Sequence, residues 1–195
     1  INHKETLAKQ DWICSKCSHY FDKPPLATVK TWFQDNKTFI STPTGIDEDP
    51  LNFKTELGTY KDAFAAFDYL MNSRMVESGD IVIYGRSLGG AVAVWLASQV
   101  DSGGLIIEST FTRMVDMGKH RYPFLPARLL TRIHYDSLSH IRDVKCPVLG
   151  AHSPDDETVP YILGKSLVEA VPNLKYFVTL KGGHNDTFFD SSPSA

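Results

Sequence analysis

No apolar run in this sequence approaches the ~20 residues that span a bilayer, so no transmembrane segment is expected. No long basic run is present and the formal net charge is −3, which argues against a nucleic-acid partner. The opening stretch, INHKETLAKQ, has no hydrophobic signal-peptide core. A cytoplasmic location is therefore expected, although a chain starting at Ile1 is also compatible with missing upstream sequence. Cysteine is scarce and odd in number, at three. Cys14 and Cys17 form a C-x-x-C, the half of a zinc ribbon, but no second C-x-x-C follows. His3 and His19 are the histidines nearest that pair, at a spacing that matches no common finger. A non-metal pair is expected, with no metal site and no cofactor; zinc on Cys14 and Cys17 is the alternative and predicts metal in the purified protein. Cys146, before Pro147, reads as a core thiol at a strand entrance.

What is present is an ordinary globular composition, 42% hydrophobic and 22% charged, in a chain of 195 residues. That length fits one domain, or one domain with an appendage, and can bury a sizeable core. Residues 27–41 suggest a hairpin: ATVKTWF, a turn at QDNK, then TFIS. Thr59 to Asn72 has apolar residues at Tyr60, Ala63, Phe64, Phe67, Leu70 and Met71, the stripe of a half-buried helix. Thr59 and Asp62 resemble a capping box at its start. From there strands and helices alternate. Strands are expected at Ile81–Tyr84, Leu105–Ile107, Pro147–His152 and Tyr176–Leu180, and helices at Leu88–Gln99 and Tyr161–Val171. The alternation implies an α/β fold with a mostly parallel sheet and helices on both faces. A less regular insert lies at about 112–140.

The joint between Tyr84 and Leu88 carries chemistry. In GRSLGG, residues 85–90, glycines flank Ser87 where a strand turns sharply into a helix. The turn exposes the serine and aims the N–H of Leu88 at a developing oxyanion. A tight turn in which Ser87 merely caps the helix is the bland alternative. A serine hydroxyl needs a base, and a base needs an orienting acid. Both partners are expected on loops after later strands. His184 arrives in KGGHND after the last strand, and Asp155 or Asp156 in HSPDDETVP after the strand before it. His152 is expected to brace that acidic loop. Adjacent carboxylates repel, so only one of the two aspartates is expected to face the pocket.

Taken together, GRSLGG at 85–90, ESTFT at 108–112, CPVL at 146–149, HSPDDETVP at 152–160 and GGHND at 182–186 resemble the α/β-hydrolase superfamily. The likeness is strongest to single-domain serine hydrolases related to protein depalmitoylases and serine aminopeptidases, and spans Gly58 to Phe189. The resemblance implies Ser87, Asp156 and His184 as the catalytic set, the aspartate being chosen by its spacing from His152, Val159 and Pro160. Ser153 stands where such hydrolases usually have glycine.

The chain also lacks features the family has. No H-G dipeptide occurs anywhere, so the loop that donates the second oxyanion hydrogen bond is unassigned, with Thr42–Pro50 the place to look for a replacement. The hairpin runs almost directly into the helix near 59, as though part of the N-terminal half of the sheet were missing. Residues 1–55 are read as an unassigned N-terminal segment and 56–195 as the catalytic core. If the sheet is incomplete, the strand before Ser87 has an open edge that the first 55 residues or a second copy must cover. The expected function is hydrolysis of a carboxylic ester or thioester, or an amide, in a small-molecule or acylated substrate. A degenerate fold serving as a non-catalytic binding module is the alternative. Phe111, Met114, Met117, Tyr122, Phe124 and Leu125 of the insert are candidates for an acyl pocket, with core packing an equal alternative. Oligomeric state is not legible.

Overall fold

A computed structural model of the chain describes residues 28–31, 38–41, 55–122, 124 and 133–187. Among the described residues one six-stranded sheet runs in the order β1 to β6. It is built from β1 (Thr28–Thr31), β2 (Thr38–Ser41), β3 (Ile81–Arg86), β4 (Gly104–Glu108), β5 (Val148–His152) and β6 (Lys175–Thr179). β1 and β2 pair antiparallel, from Thr28 opposite Ser41 to Thr31 opposite Thr38, which is the expected hairpin. Every later neighbour is parallel.

β2 lies directly beside β3, with Ile40 opposite Ile83 and Ser41 opposite Tyr84. The edge of the strand that leads to Ser87 is thus paired by residues from the first 55. Backbone groups that a shortened sheet would leave unpaired are satisfied there.

The helices are α1 (Glu56–Asn72), α2 (Leu88–Gln99), α3 (Met114–Arg121), the single turn α4 (Ser137–His140) and α5 (Tyr161–Glu169). α1 starts three residues before the expected capping box. Its cap is Thr55, whose side chain accepts the Gly58 N–H at 3.0 Å, and Glu56 sits in the positive first turn. Thr59 instead donates its hydroxyl to the Glu56 carbonyl inside the helix, at 2.8 Å. α3 and α4 lie within the insert that reads as irregular.

β3, β4 and β5 alternate between buried and half-buried residues, whereas β6 is mostly exposed. Ile81 and Ile83 of β3, Leu105 and Ile107 of β4 and Val148 of β5 form the buried face. α2 and α5 pack against it. α2 is buried nearly all round, at Gly89 to Val94, Leu96 and Ala97, because its other side meets α1 and α4. Tyr60 of α1 stacks on Trp95 of α2 with ring centroids 4.4 Å apart. Each Ile, Leu or Val so buried contributes about 1.5–3 kcal/mol relative to exposure. Cys146 is buried at the entrance to β5. No helix among the described residues is long and apolar enough to cross a membrane.

Candidate active site

Ser87 occupies the joint between β3 and α2 with φ 53° and ψ −125°, in the positive-φ region that side chains rarely adopt. The surroundings hold it there. Its N–H donates to the Glu108 carbonyl at 2.9 Å, and its carbonyl accepts the Gly90 N–H at 3.0 Å and the Thr110 hydroxyl at 2.8 Å. The side chain makes no cap hydrogen bond to α2, so helix capping does not account for it. Gly85 and Gly90 make this corner possible. A Cβ at Gly85 would sit 2.3 Å from the Gly89 carbonyl oxygen, and one at Gly90 2.5 Å from the Thr110 side chain. Leu88 opens α2, so its N–H has no partner within the helix.

The acid loop follows β5. Asp156 is buried while Asp155 is exposed. Asp156 Oδ1 accepts the N–H groups of Thr158 and Val159 at 2.9 and 2.8 Å. Asp156 Oδ2 lies 2.7 Å from Nδ1 of His184 and 3.2 Å from Nε2 of His152. Burial pushes this carboxyl up, but the Val159 N–H, His184 and the Thr158 N–H more than offset it, leaving it below the ordinary carboxylate value. His152 braces the loop from inside. Its Nε2 is 3.0 Å from the Val159 carbonyl, so that nitrogen carries the proton and donates. Burial holds His152 below the ordinary imidazole value. Its Nδ1 is buried with no partner, against Gly164, where a Cβ would stand 2.0 Å away.

His184 follows β6 in a turn without regular structure. Beyond Asp156 on its ring, its main chain is held at both ends. Glu157 accepts its N–H at 2.9 Å, and the Arg86 guanidinium donates to its carbonyl. The structure thus brings His184 to Asp156 and, through Arg86, to the residue beside Ser87. A direct hydrogen bond from Ser87 Oγ to the imidazole is not formed among the described residues; such contacts often tighten only when substrate binds.

Residues 48–184 match the prolyl oligopeptidase family. The chain belongs to that family, within the α/β-hydrolase superfamily. It is 40% identical over 133 residues to the uncharacterized protein Rv2307c of Mycobacterium tuberculosis, covering 68% of this chain and 47% of that protein. It is 29% identical over 158 residues to the lysophosphatidylserine lipase ABHD12 of Danio rerio, covering 72% and 40%. Among solved structures, the Pyrococcus horikoshii acylaminoacyl peptidase superposes with a TM-score of 0.56 at 18% identity, over 70% of this chain and 25% of that one, a likeness of fold. The chain spans about half the length of the curated relatives it matches.

In this prolyl oligopeptidase family member the insert residues do not gather into one wall. Phe111 is in the core at 2% exposure and Met114 and Met117 pack against it, whereas Tyr122 and Phe124 are 59% and 97% exposed. Leu125 lies outside the described residues, as do Thr42–Pro50, Cys14, Cys17, His3 and His19. No group of three or more His, Cys, Asp or Glu among the described residues could hold a metal ion. Arg86, Glu108 and Glu157, which tether the His184 loop, were not singled out from the sequence. Glu108 opens the ESTFT motif, so the motif is legible while its partner Thr187, 79 residues away, is not.

Proposed function

We propose that this chain is a serine hydrolase that cleaves a carboxylic ester or thioester through an acyl-enzyme on Ser87. The observation that carries the reading is the buried Asp156–His184 contact of 2.7 Å, in a chain whose Ser87 is held at φ 53° on a strand-to-helix corner. In this reading Ser87 Oγ attacks the acyl carbonyl as His184 Nε2 takes its proton. Asp156 keeps the imidazole oriented through Nδ1 and stabilises the imidazolium. The Leu88 N–H at the start of α2 binds the oxyanion. His184 then protonates the departing alcohol or thiol, and water releases the acid by the reverse sequence. The name of the relative ABHD12 favours a lipid ester as the bond class.

The missing H-G dipeptide supports a second reading, a fold kept as a binding module. Stopped-flow hydrolysis of a p-nitrophenyl ester separates the two. A burst of one p-nitrophenol per chain supports the acyl-enzyme. A burst of the same size from Ser87→Ala refutes it.

A further inference from the structure

Arg86 and Glu108 form a polar cluster that the steps above do not use. Arg86 is the last residue of β3 and Glu108 the last of β4, directly opposite each other in the parallel register. Arg86 Nε is 3.4 Å from Glu108 Oε1, and the two side chains are 31% and 18% exposed. Thr187 donates its hydroxyl to the same Oε1 at 3.0 Å, and Tyr84 donates to Oε2 at 2.7 Å. The Arg86 guanidinium also donates to the His184 carbonyl, and one of its nitrogens is 3.4 Å from Asn185 Oδ1. Both ends of the segment 184–187 therefore end on one ion pair, at His184 through Arg86 and at Thr187 through Glu108.

The geometry points to Arg86 and Glu108 as positioning residues for His184: the pair bolts the histidine loop to the two strands that frame Ser87. This rests on the reading of Ser87 and His184 given above. The loop needs such a bolt because it begins Gly182-Gly183, with Gly182 at φ 86°, and has no ladder of its own. Asp156 fixes the ring but not the main chain. A guanidinium suits the task because its planar fork can donate to a carboxylate and a carbonyl at once, which an ammonium on a flexible stem does less well.

The test uses the 195-residue chain with Arg86→Met, Glu108→Gln, the double variant, and Lys145→Gln as a control. Lys145 and Asp101 form an ion pair with side chains 81% and 77% exposed, remote in role from the site. Hydrogen exchange is read on peptides covering 182–187, and fluorophosphonate labelling is read as a maximal rate and a half-saturation concentration. Arg86→Met is expected to speed exchange in 182–187 with β3 and β4 unchanged. It is also expected to slow the maximal labelling rate by on the order of 10²-fold while half-saturation moves less than about 2-fold, the pattern of a misplaced base. Glu108→Gln should act in the same direction, and the double variant should be no slower than the slower single, because the pair works as a unit. Lys145→Gln should change neither readout. Unchanged exchange in 182–187 for Arg86→Met overturns the proposal, whatever the labelling does. So does a loss confined to half-saturation, or a double variant whose losses multiply. If the wild-type chain does not label at Ser87, the proposed function fails, and the exchange result alone then decides the tether. Should Arg86→Met fail to fold, Arg86→Lys replaces it: faster exchange in 182–187 supports the fork, and exchange equal to wild type overturns it.

Discussion

The corner that holds Ser87 and the loop that holds His184 solve the same problem by different means. At the corner, backbone and glycine do the work. Strand, turn and helix are contiguous, Gly85 and Gly90 remove side chains that would collide, and main-chain hydrogen bonds fix Ser87. At the loop, side chains do it. Asp156, Glu157, Arg86 and Glu108 arrive from three other segments and hold a Gly-Gly-His turn that is also closed locally by the Asp186 N–H donating to the Gly183 carbonyl at 3.1 Å. A corner built mainly from one stretch of chain, braced by the Glu108 carbonyl and the Thr110 hydroxyl, is stiff by geometry. A loop held by remote tethers can be loosened one tether at a time.

The comparison can be broken most severely at the base. His184→Ala should lower kcat by about 10⁶-fold with little change in thermal stability, since members of such a set act as one unit. Asp156→Asn should cost about 10⁴-fold by favouring the wrong tautomer of His184. The corner should fail through stability instead. Gly85→Ala should destabilise the fold by about 3 kcal/mol, because the added Cβ meets the Gly89 backbone and Ala93, neither of which can give way easily. Urea denaturation checks this, and an unchanged midpoint would contradict the close approach.

The smallest effect sharpens the contrast by pH. Burial holds the folded-state value of His152 below that of an ordinary imidazole. Below about pH 6.5 the unfolded chain therefore binds a proton at this residue that the folded chain does not. Stability should fall as pH drops through that value, by at most about 1.4 kcal/mol per pH unit from this group. His152→Gln should flatten the slope between about pH 6.5 and 5.5 in urea titrations. A slope equal to wild type would remove His152 as its source.

How much of this is legible in the sequence follows from the same contrast. The run from Ile81 to Val100 declares itself because its constraints are neighbours in sequence: an apolar strand, glycines at fixed offsets and an apolar helix. β4, β5, β6 and α5 are read to within one or two residues for the same reason. α3 is missed because Lys119, His120 and Arg121 follow its two methionines and no apolar stripe forms. The start of α1 is missed because two threonines, Thr55 and Thr59, each precede plausible first turns, and only the Gly58 N–H decides between them. The residues alone leave Asp155 and Asp156 open as the partner of His184, and the choice of Asp156 comes from the resemblance to the hydrolase family, whose motif spacing from His152, Val159 and Pro160 picks it out. The bolt of Arg86 and Glu108 has no local period or spacing. It appears only when β3 and β4 lie side by side.

The central claim is that Ser87 is the nucleophile served by His184 and Asp156. Its most direct test is intact-mass and peptide-mapping spectrometry after treatment with a fluorophosphonate, on the wild-type chain and Ser87→Ala. The account predicts one adduct per chain, on the peptide containing Ser87, and none on Ser87→Ala. An unlabelled wild-type chain, or an adduct that persists in Ser87→Ala, would contradict it.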